Sequence, residues 1–287
     1  MLERWSRPLA RLSTGTARVV DALFRLLGRP GKLLQDFLNG AWLGHSLHPV
    51  VVDVVVGGST AAVLLQLLSW LGVGELRLAL VWVLGLTWLS GVAAIATGLT
   101  DFKDTATGDE RNVVGLHGLV NIVATLLFGA AFVGLLAEAD ILAGWLLVVG
   151  YLVLSVGAFI GGHVVFKYGY MVNRNAFARG RAAKEFTAVL PAAELPEATP
   201  TRASLGPTAL VLVRRGDLVF ALKEGCSHAG GPLSEGTLEG ETIVCPWHGS
   251  AFRLRDGAVR HGPASTRQVA YRARIGDGQV EVQGPIA

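Results

Sequence analysis

Cysteine and charge are both scarce in this chain. Only Cys226 and Cys245 occur among its 287 residues, which excludes a small scaffold stapled by several disulfides. Charged residues make up 16% of the chain, whereas an average soluble domain has about 25%. The mean hydropathy is +0.48, and the net charge of +3 comes without a basic stripe interleaved with aromatics. These features disfavour a single ordinary soluble domain, a disordered chain and a nucleic-acid-binding protein.

Long apolar runs fill the first half of the chain. They cover residues 49–71, 76–99, 113–136 and 141–166, and each is about as long as the ~20 residues that a helix needs to cross a bilayer. Asp53 and Arg77 are the only charged residues inside them. Because the runs are apolar on all sides, we predict an all-α bundle of four antiparallel transmembrane helices over residues 41–170. Small residues four apart allow close approach of such helices, and the pairs are Gly57/Ala61, Ala94/Gly98, Ala130/Gly134 and Gly157/Gly161.

The distribution of lysine and arginine predicts the orientation of this bundle. One side carries seven basic residues before position 41 and seven more between positions 103 and 184, and the other side has only Arg77. By the positive-inside rule, we expect both termini in the cytoplasm and the spans in the inner (plasma) membrane. Residues 1–40 show helical periodicity and predict an amphipathic leader on the lipid surface, without a cleaved signal peptide. Residues 171–186 are predicted to form a basic linker, with Arg174, Arg179, Arg181 and Lys184.

The composition changes after about residue 184. Prolines replace the apolar runs, and short β-rich segments follow with turn residues such as Gly276-Asp277-Gly278 between them. The segments are 208–213, 218–222, 242–244, 251–254, 268–275 and 280–282. Closely spaced short strands predict an all-β antiparallel sandwich or barrel over residues 187–287.

Both cysteines of the chain lie in turns of this β region, and each has a histidine close by. The first turn reads Cys226-Ser227-His228, and the second reads Cys245-Pro246-Trp247-His248. Thiolates and imidazoles are ligands for transition metals, so these four side chains are the candidate metal ligands. A tetrahedral structural zinc site uses the same ligand set and is the alternative.

The two motifs and their spacing resemble those of the Rieske [2Fe-2S] proteins over residues 184–282. The resemblance implies a Rieske-type sandwich in which Cys226 and Cys245 hold one iron of the cluster, while His228 and His248 hold the other. Respiratory members carry extra cysteines where this chain has Gly230 and Trp247, and a tyrosine where it has Phe252. The chain is more similar to the soluble ferredoxins that feed oxygenases, which implies a potential in the low to middle part of the range from about −150 to +300 mV.

The membrane half resembles an uncharacterised four-helix bacterial membrane family, DUF2231, over about residues 40–170. The resemblance is carried by Gly44-His45-Ser46-Leu47-His48-Pro49 with Asp53, and by His117-Gly118-Leu119-Val120-Asn121. It implies no established activity.

Four histidines and one aspartate of this half form a second candidate site. In an antiparallel bundle His45, His48, His117 and His163 fall at the cytoplasmic ends of helices, with Asp53 about one turn deeper. They could be interfacial residues that cap helices or meet headgroups. Alternatively they hold haem b, a metal or a quinone, with His48 and His117, or His45 and His163, as axial ligands of a haem.

The sequence therefore predicts a membrane-anchored electron-transfer protein with a cytoplasmic Rieske cluster. The lipid bilayer and either a redox protein or the quinone pool are its expected partners. Only 39 residues follow His248, too few for the separate iron domain of a Rieske oxygenase, so we expect a carrier or oxidoreductase component rather than a stand-alone enzyme. The alternatives are a redox or iron-sulfur sensor, and a quinol- or haem-linked oxidoreductase that uses the His/Asp face.

Overall fold

A computed structural model of the chain describes residues 2–177 and 185–286. The chain forms two compact units, one made of Met1–Gly31 with Ser46–Gly169 and the other of Lys32–His45 with Tyr170–Ala287. The predicted linker residues Arg179, Arg181 and Lys184 lie outside the described residues.

The first unit is helical. Its N-terminal helices are α1 (Leu2–Ser6), α2 (Ala10–Leu26) and the first turn of α3 (Gly28–Leu38). Among the described residues, four further helices are long and apolar enough to cross a membrane, which confirms the predicted spans. They are α4 (Leu47–Trp70), α5 (Arg77–Phe102), α6 (Asp109–Leu136) and α7 (Asp140–Tyr168).

The four long helices pack around a narrow apolar core. Phe128, Leu84 and Leu147 are almost fully buried there, and α6 packs against both α5 and α7. Large apolar side chains also cover the outside: Trp82 is 73% exposed and Phe159 is 72% exposed. A surface of this kind is stable against lipid tails but not against water, so the chain is a multi-pass membrane protein.

The N-terminal helices are tied to the bundle by charge. Glu3 of α1 accepts hydrogen bonds from Lys167 and from the Tyr168 hydroxyl at the end of α7. The Lys167 ammonium holds the pKa of Glu3 well below its usual range. Helix α2 leaves Val19 and Leu23 exposed, which suits the lipid-surface position predicted for the leader.

The second unit contains two antiparallel sheets. The larger has the strand order β1-β10-β9-β4-β3-β2, and the smaller has the order β5-β6-β7-β8. The strands are β1 (Thr187–Pro191), β2 (Thr201–Leu205), β3 (Thr208–Arg215), β4 (Leu218–Lys223), β5 (Thr237–Glu239), β6 (Thr242–Val244), β7 (Ala251–Arg253), β8 (Val259–His261), β9 (Ala270–Gly276) and β10 (Gln279–Pro285). The predicted all-β antiparallel class is confirmed.

Apolar side chains from both sheets form the core behind the metal motifs. Val211 and Leu222 of the large sheet pack in one cluster with Ile243 and Phe252 of the small sheet. Cys226 and Cys245 belong to the same cluster, so the two cysteine turns are anchored in the core. The motifs therefore sit on the small sheet and its connections, and the large sheet supports them.

Candidate metal centre

The two cysteine turns have the same backbone geometry. In the first, the Cys226 N–H donates to Gly231 O over 2.9 Å and the Gly230 N–H donates to Cys226 O over 2.8 Å. In the second, Cys245 is bonded in the same way to the fifth and fourth residues beyond it, Ser250 and Gly249, over 2.8 and 3.1 Å. Each turn is thus a closed loop with its cysteine at the neck.

A glycine permits each turn to close. Gly230 has φ +83° and Gly249 has φ +75°, and both follow their cysteine by four residues. Glycine adopts this left-handed backbone conformation without the steric cost that a Cβ atom brings. The glycines of the two motifs are therefore part of the ligand geometry.

Backbone N–H groups in the turns point at the sulfurs. His228 and Ala229 donate to the Cys226 sulfur, and Trp247 and His248 donate to the Cys245 sulfur. Donors of this kind stabilise negative charge on sulfur, and they help set the potential of an iron-sulfur centre. The turns are built to receive two thiolates.

The two thiols lie against each other inside the protein. Cys226 is 1% exposed and Cys245 is 3% exposed. A hydrogen bond between the two side chains, with burial, raises the pKa of Cys226. The same bond and the surrounding N–H donors lower the pKa of Cys245 to about 7. Two sulfurs are thus held together at the buried end of the site.

The two histidines complete the site on its outer side. Their ring centroids are 5.1 Å apart and the rings are nearly perpendicular, at 88°. Both rings are half-buried, and the neighbouring Trp247 ring is 56% exposed. The structure therefore pairs the two predicted thiol ligands in the interior and pairs the two predicted imidazole ligands nearer the surface, on the same two turns.

A buried glutamine fixes the first turn from behind. Gln268 is 2% exposed, and its Oε1 accepts hydrogen bonds from the Ser227 N–H at 3.0 Å and from Asn175 Nδ2 at 2.9 Å. Its Nε2 donates to the carbonyls of Lys223 and Gly225. Sequence patterns did not single out Gln268 or Asn175, because an amide side chain has no characteristic spacing to its partners.

A third loop, residues 262–266, is hydrogen-bonded to both cysteine turns. The Ala264 N–H donates to the buried Ser250 hydroxyl over 3.0 Å, and the Ser227 hydroxyl donates to Thr266 O over 2.7 Å. Both serines therefore link a cysteine turn to the loop through a hydrogen bond. They keep the loop and the two turns in one arrangement.

The same loop is held by a residue from far earlier in the chain. Asp36 Oδ1 lies 2.6 Å from His261 Nδ1 and accepts a hydrogen bond from the Gly262 N–H at 2.7 Å. Asp36 belongs to the segment Lys32–His45 of the second unit. No sequence signal links it to His261, which the sequence presents as a structural or surface residue.

The donor set suits the group that the resemblance implies. A binuclear cluster with mixed ligands needs two thiolates and two imidazoles on separate sides. The turns supply these, and Gly231 leaves the room: a Cβ there would lie 2.8 Å from the Cys245 sulfur and 3.0 Å from the Trp247 ring. Only glycine avoids crowding the sulfurs at this position.

The four histidines of the second candidate site divide into three environments. His48 and His117 are half-buried with their ring centroids 6.5 Å apart. His163 instead lies 3.4 Å from the Glu3 carboxylate and packs on Tyr168. His45 is exposed in the second unit, and Asp53 is exposed on α4.

Two family models match the chain. A Rieske [2Fe-2S] domain matches residues 185–272, and a predicted membrane protein family, DUF2231, matches residues 44–174. Both resemblances expected from the sequence are confirmed.

Known ferredoxins are similar to the β region. Ferredoxin CarAc of Metapseudomonas resinovorans is 35% identical over 28% of this chain and 75% of its own length. The anthranilate 1,2-dioxygenase ferredoxin subunit of Burkholderia cepacia is 37% identical over 31% of this chain and 82% of its own length. Among solved structures, the ferredoxin of carbazole 1,9a-dioxygenase from Nocardioides aromaticivorans IC177 is 29% identical over 34% of this chain and 95% of its own, with a TM-score of 0.33.

Proposed function

Because the chain belongs to the Rieske [2Fe-2S] family through its C-terminal domain, we propose that it carries single electrons between a redox partner and an acceptor from a fixed position on the cytoplasmic face of a membrane. The relatives support an electron-transfer role and a Rieske-type [2Fe-2S] cluster. The four apolar helices and the DUF2231 match support a multi-pass membrane protein.

Four residues are proposed to hold the cluster. Cys226 and Cys245 bind one iron, and His228 and His248 bind the other. The observation that carries this proposal is the pair of matching turns, which present two buried sulfurs with N–H donors and two imidazoles 5.1 Å apart. When bound, the cluster supplies a reversible one-electron couple.

The protein's own groups set how readily that electron is accepted. Neutral imidazoles in place of two thiolates leave less negative charge on the reduced centre, so the potential lies in a range of about −150 to +300 mV instead of about −400 mV. The N–H groups of Ala229 and Trp247 add positive potential at the sulfurs. Burial of the thiols keeps water away from the centre.

The imidazole side is proposed as the exit for the electron. His228 and His248 are the ligands nearest the surface, and the exposed Trp247 beside them offers an aromatic contact for a partner. Two of the relatives are named as ferredoxin subunits of dioxygenases. We therefore infer a soluble one-electron partner, with an oxygenase component as its first candidate class.

The cytoplasmic side is proposed from the charges. Lys103, Arg111 and Lys167 lie at the same ends of the spans as the N-terminal basic residues in chain order, whereas Arg77 is the only basic residue expected at the other ends. The positive-inside rule then assigns those ends to the cytoplasm.

Metal and sulfide analysis tests the cluster. The purified full chain should contain about two irons and two acid-labile sulfides from the cluster, with an EPR signal that appears on reduction. Zinc in place of iron, or a colourless protein without sulfide, would contradict the proposal.

Protease protection tests the side. A cleavable tag after Ala287 should be cut in inside-out vesicles and protected in right-side-out vesicles. The opposite result would move the cluster to the other face and leave its assignment intact.

A further inference from the structure

The two halves of the helical bundle hold a histidine in the same way. His48 of α4 is bonded through Nδ1 to Ala94 O of α5 at 3.0 Å. His117 of α6 is bonded through Nδ1 to Gly157 O of α7 at 2.9 Å. Each hairpin of two helices therefore anchors one imidazole on a backbone carbonyl of its second helix.

A glycine makes room for each ring. Gly98 lies one helical turn beyond Ala94, and a Cβ there would meet His48 Cε1 at 2.9 Å. Gly161 lies one turn beyond Gly157, and a Cβ there would meet His117 Cε1 at 2.8 Å. The sequence predicts that these small-xxx-small pairs serve close helix packing, whereas in the structure they cradle the two histidines.

The carbonyl contacts determine which ring nitrogen is available. A carbonyl oxygen only accepts, so the shortest contact of each Nδ1 assigns the proton to that nitrogen. The other contacts of these atoms are longer: Thr97 Oγ1 lies 3.2 Å from His48 Nδ1, and Asn121 Nδ2, which donates to His117 O at 2.7 Å, lies 3.2 Å from His117 Nδ1. A neutral imidazole then keeps its lone pair on Nε2, which is the usual arrangement of a metal-ligating histidine whose other nitrogen is held by a carbonyl. Both side chains are therefore preset as neutral Nε2 donors.

The two rings lie close to each other in the bundle. Their ring centroids are 6.5 Å apart and the rings are nearly perpendicular, at 81°. A metal-bound imidazole nitrogen lies about 2.0–2.1 Å from the metal, so two axial imidazoles hold their centroids roughly 6.3 Å apart. The observed separation matches two imidazoles on opposite sides of one metal.

We propose that His48 and His117 are the two axial ligands of a haem b in the membrane domain. Within residues 2–177 and 185–286, no further His, Cys, Asp or Glu side chain joins His48 and His117 in a group that could hold a bare metal ion. A zinc ion needs about four ligands, whereas a haem brings four nitrogens of its own and needs only two from the protein. Its porphyrin also balances the charge of ferrous iron, which suits a site with no anionic ligand in an apolar bundle.

The site lies outside the Rieske motifs and adds a second one-electron centre to the protein. It also gives His48 and His117 a role as ligands, in place of the alternative role as interfacial residues. His163 has the Glu3 carboxylate as its neighbour and is not part of the site.

Spectroscopy on the full chain, purified in detergent from haem-replete cells, tests this proposal. We expect one haem per chain by the pyridine haemochrome assay, b-type bands on reduction, and a low-spin ferric EPR signal separate from the cluster signal. His48→Ala and His117→Ala should each lose the haem while total iron falls from about three to about two atoms per chain. His163→Ala should keep it.

Glycine variants separate loss of the site from loss of the fold. Gly161→Ala places a Cβ against the His117 ring and should lower haem occupancy, while Gly162→Ala next to it has nothing within 4 Å of the new Cβ and should not. Both changes have the same effect on helix propensity. A chain that contains no haem and takes up none on titration with hemin overturns the proposal, as does a metal ion bound there without porphyrin, or equal occupancy in the two glycine variants.

Discussion

Two histidine pairs occur in this protein, at similar ring separations, in surroundings of opposite character. His228 and His248 sit 5.1 Å apart on turns of the β domain, beside two buried thiols. His48 and His117 sit 6.5 Å apart on apolar helices, with their Nδ1 atoms on carbonyls. The turns bring two sulfurs to the first pair, whereas backbone carbonyls of the helices hold the second.

The comparison indicates that the groups next to a histidine pair determine which cofactor the pair can bind. Where two thiolates lie close by, a cluster with two irons and bridging sulfides is matched in charge and in number of ligands. Where only two imidazoles are available among the described residues, the bound group must supply the remaining ligands of its metal. A substitution next to one histidine pair should therefore change cofactor binding in that region and leave the other region unaffected.

Removal of a thiol should have the largest effect. In Cys226→Ser and Cys245→Ser the cluster should be lost entirely, because a hydroxyl is a poor replacement for a soft thiolate ligand. Sulfide content and the EPR signal of the reduced cluster measure this loss. Any haem in the bundle should stay at its wild-type level, and its joint loss would show that the two regions are not independent.

Crowding the sulfurs should have an intermediate effect. Gly231→Ala directs a Cβ to 2.8 Å from the Cys245 sulfur, and overpacking of this kind costs about 1–3 kcal/mol. We expect cluster occupancy, measured as sulfide per chain, to fall by more than half. Gly225→Ala is the matched control, because its Cβ would have no neighbour closer than 3.9 Å. Equal occupancy in the two variants would contradict the crowding.

Acid should have the smallest effect, confined to the β domain. Arg253 holds the Asp256 carboxylate in the turn between β7 and β8 and lowers the pKa of Asp256 to about 2. An unfolded aspartate titrates near pH ~3.9, so this stabilisation is complete above about pH 4 and disappears as the pH falls through about 2.

Urea unfolding of the β domain, followed by hydrogen exchange of its strand amides, measures this effect, because the acid-labile sulfide of the cluster is lost in acid. The midpoint for Asp256→Asn should be slightly below that of the wild type at pH 6, and the two should converge near pH 2. A constant difference across the range would assign the effect to packing.

The parts of the fold that show a hydrophobic pattern or a short motif could be predicted from the sequence. Four spans follow from hydropathy, and the four candidate metal ligands follow from two short motifs whose cysteines are the only ones in the chain. The strands β1, β2, β5 and β8 were not predicted. β1 and β2 lie among prolines, and β5 and β8 are only three residues long. None of the four shows a clear alternation of apolar and polar residues.

Contacts made through the backbone or across long separations were not accessible. The carbonyls of Ala94 and Gly157 hold the bundle histidines, but a carbonyl is present at every residue and leaves no signature. Gln268 and Asp36 act through single side chains whose partners are distant in sequence. Local patterns cannot reveal such pairs, because only the folded chain brings them together.

The contact of Asp36 with the 262–266 loop imposes an order on biosynthesis. The carboxylate leaves the ribosome first, and its partner Gly262 follows 226 residues later, after all four spans have been made. Chains emerge at about 5–20 residues per second, so the Asp36 carboxylate is made on the order of ten to forty seconds before the loop that donates to it. The β domain can therefore close around this contact only after all four spans have been synthesised.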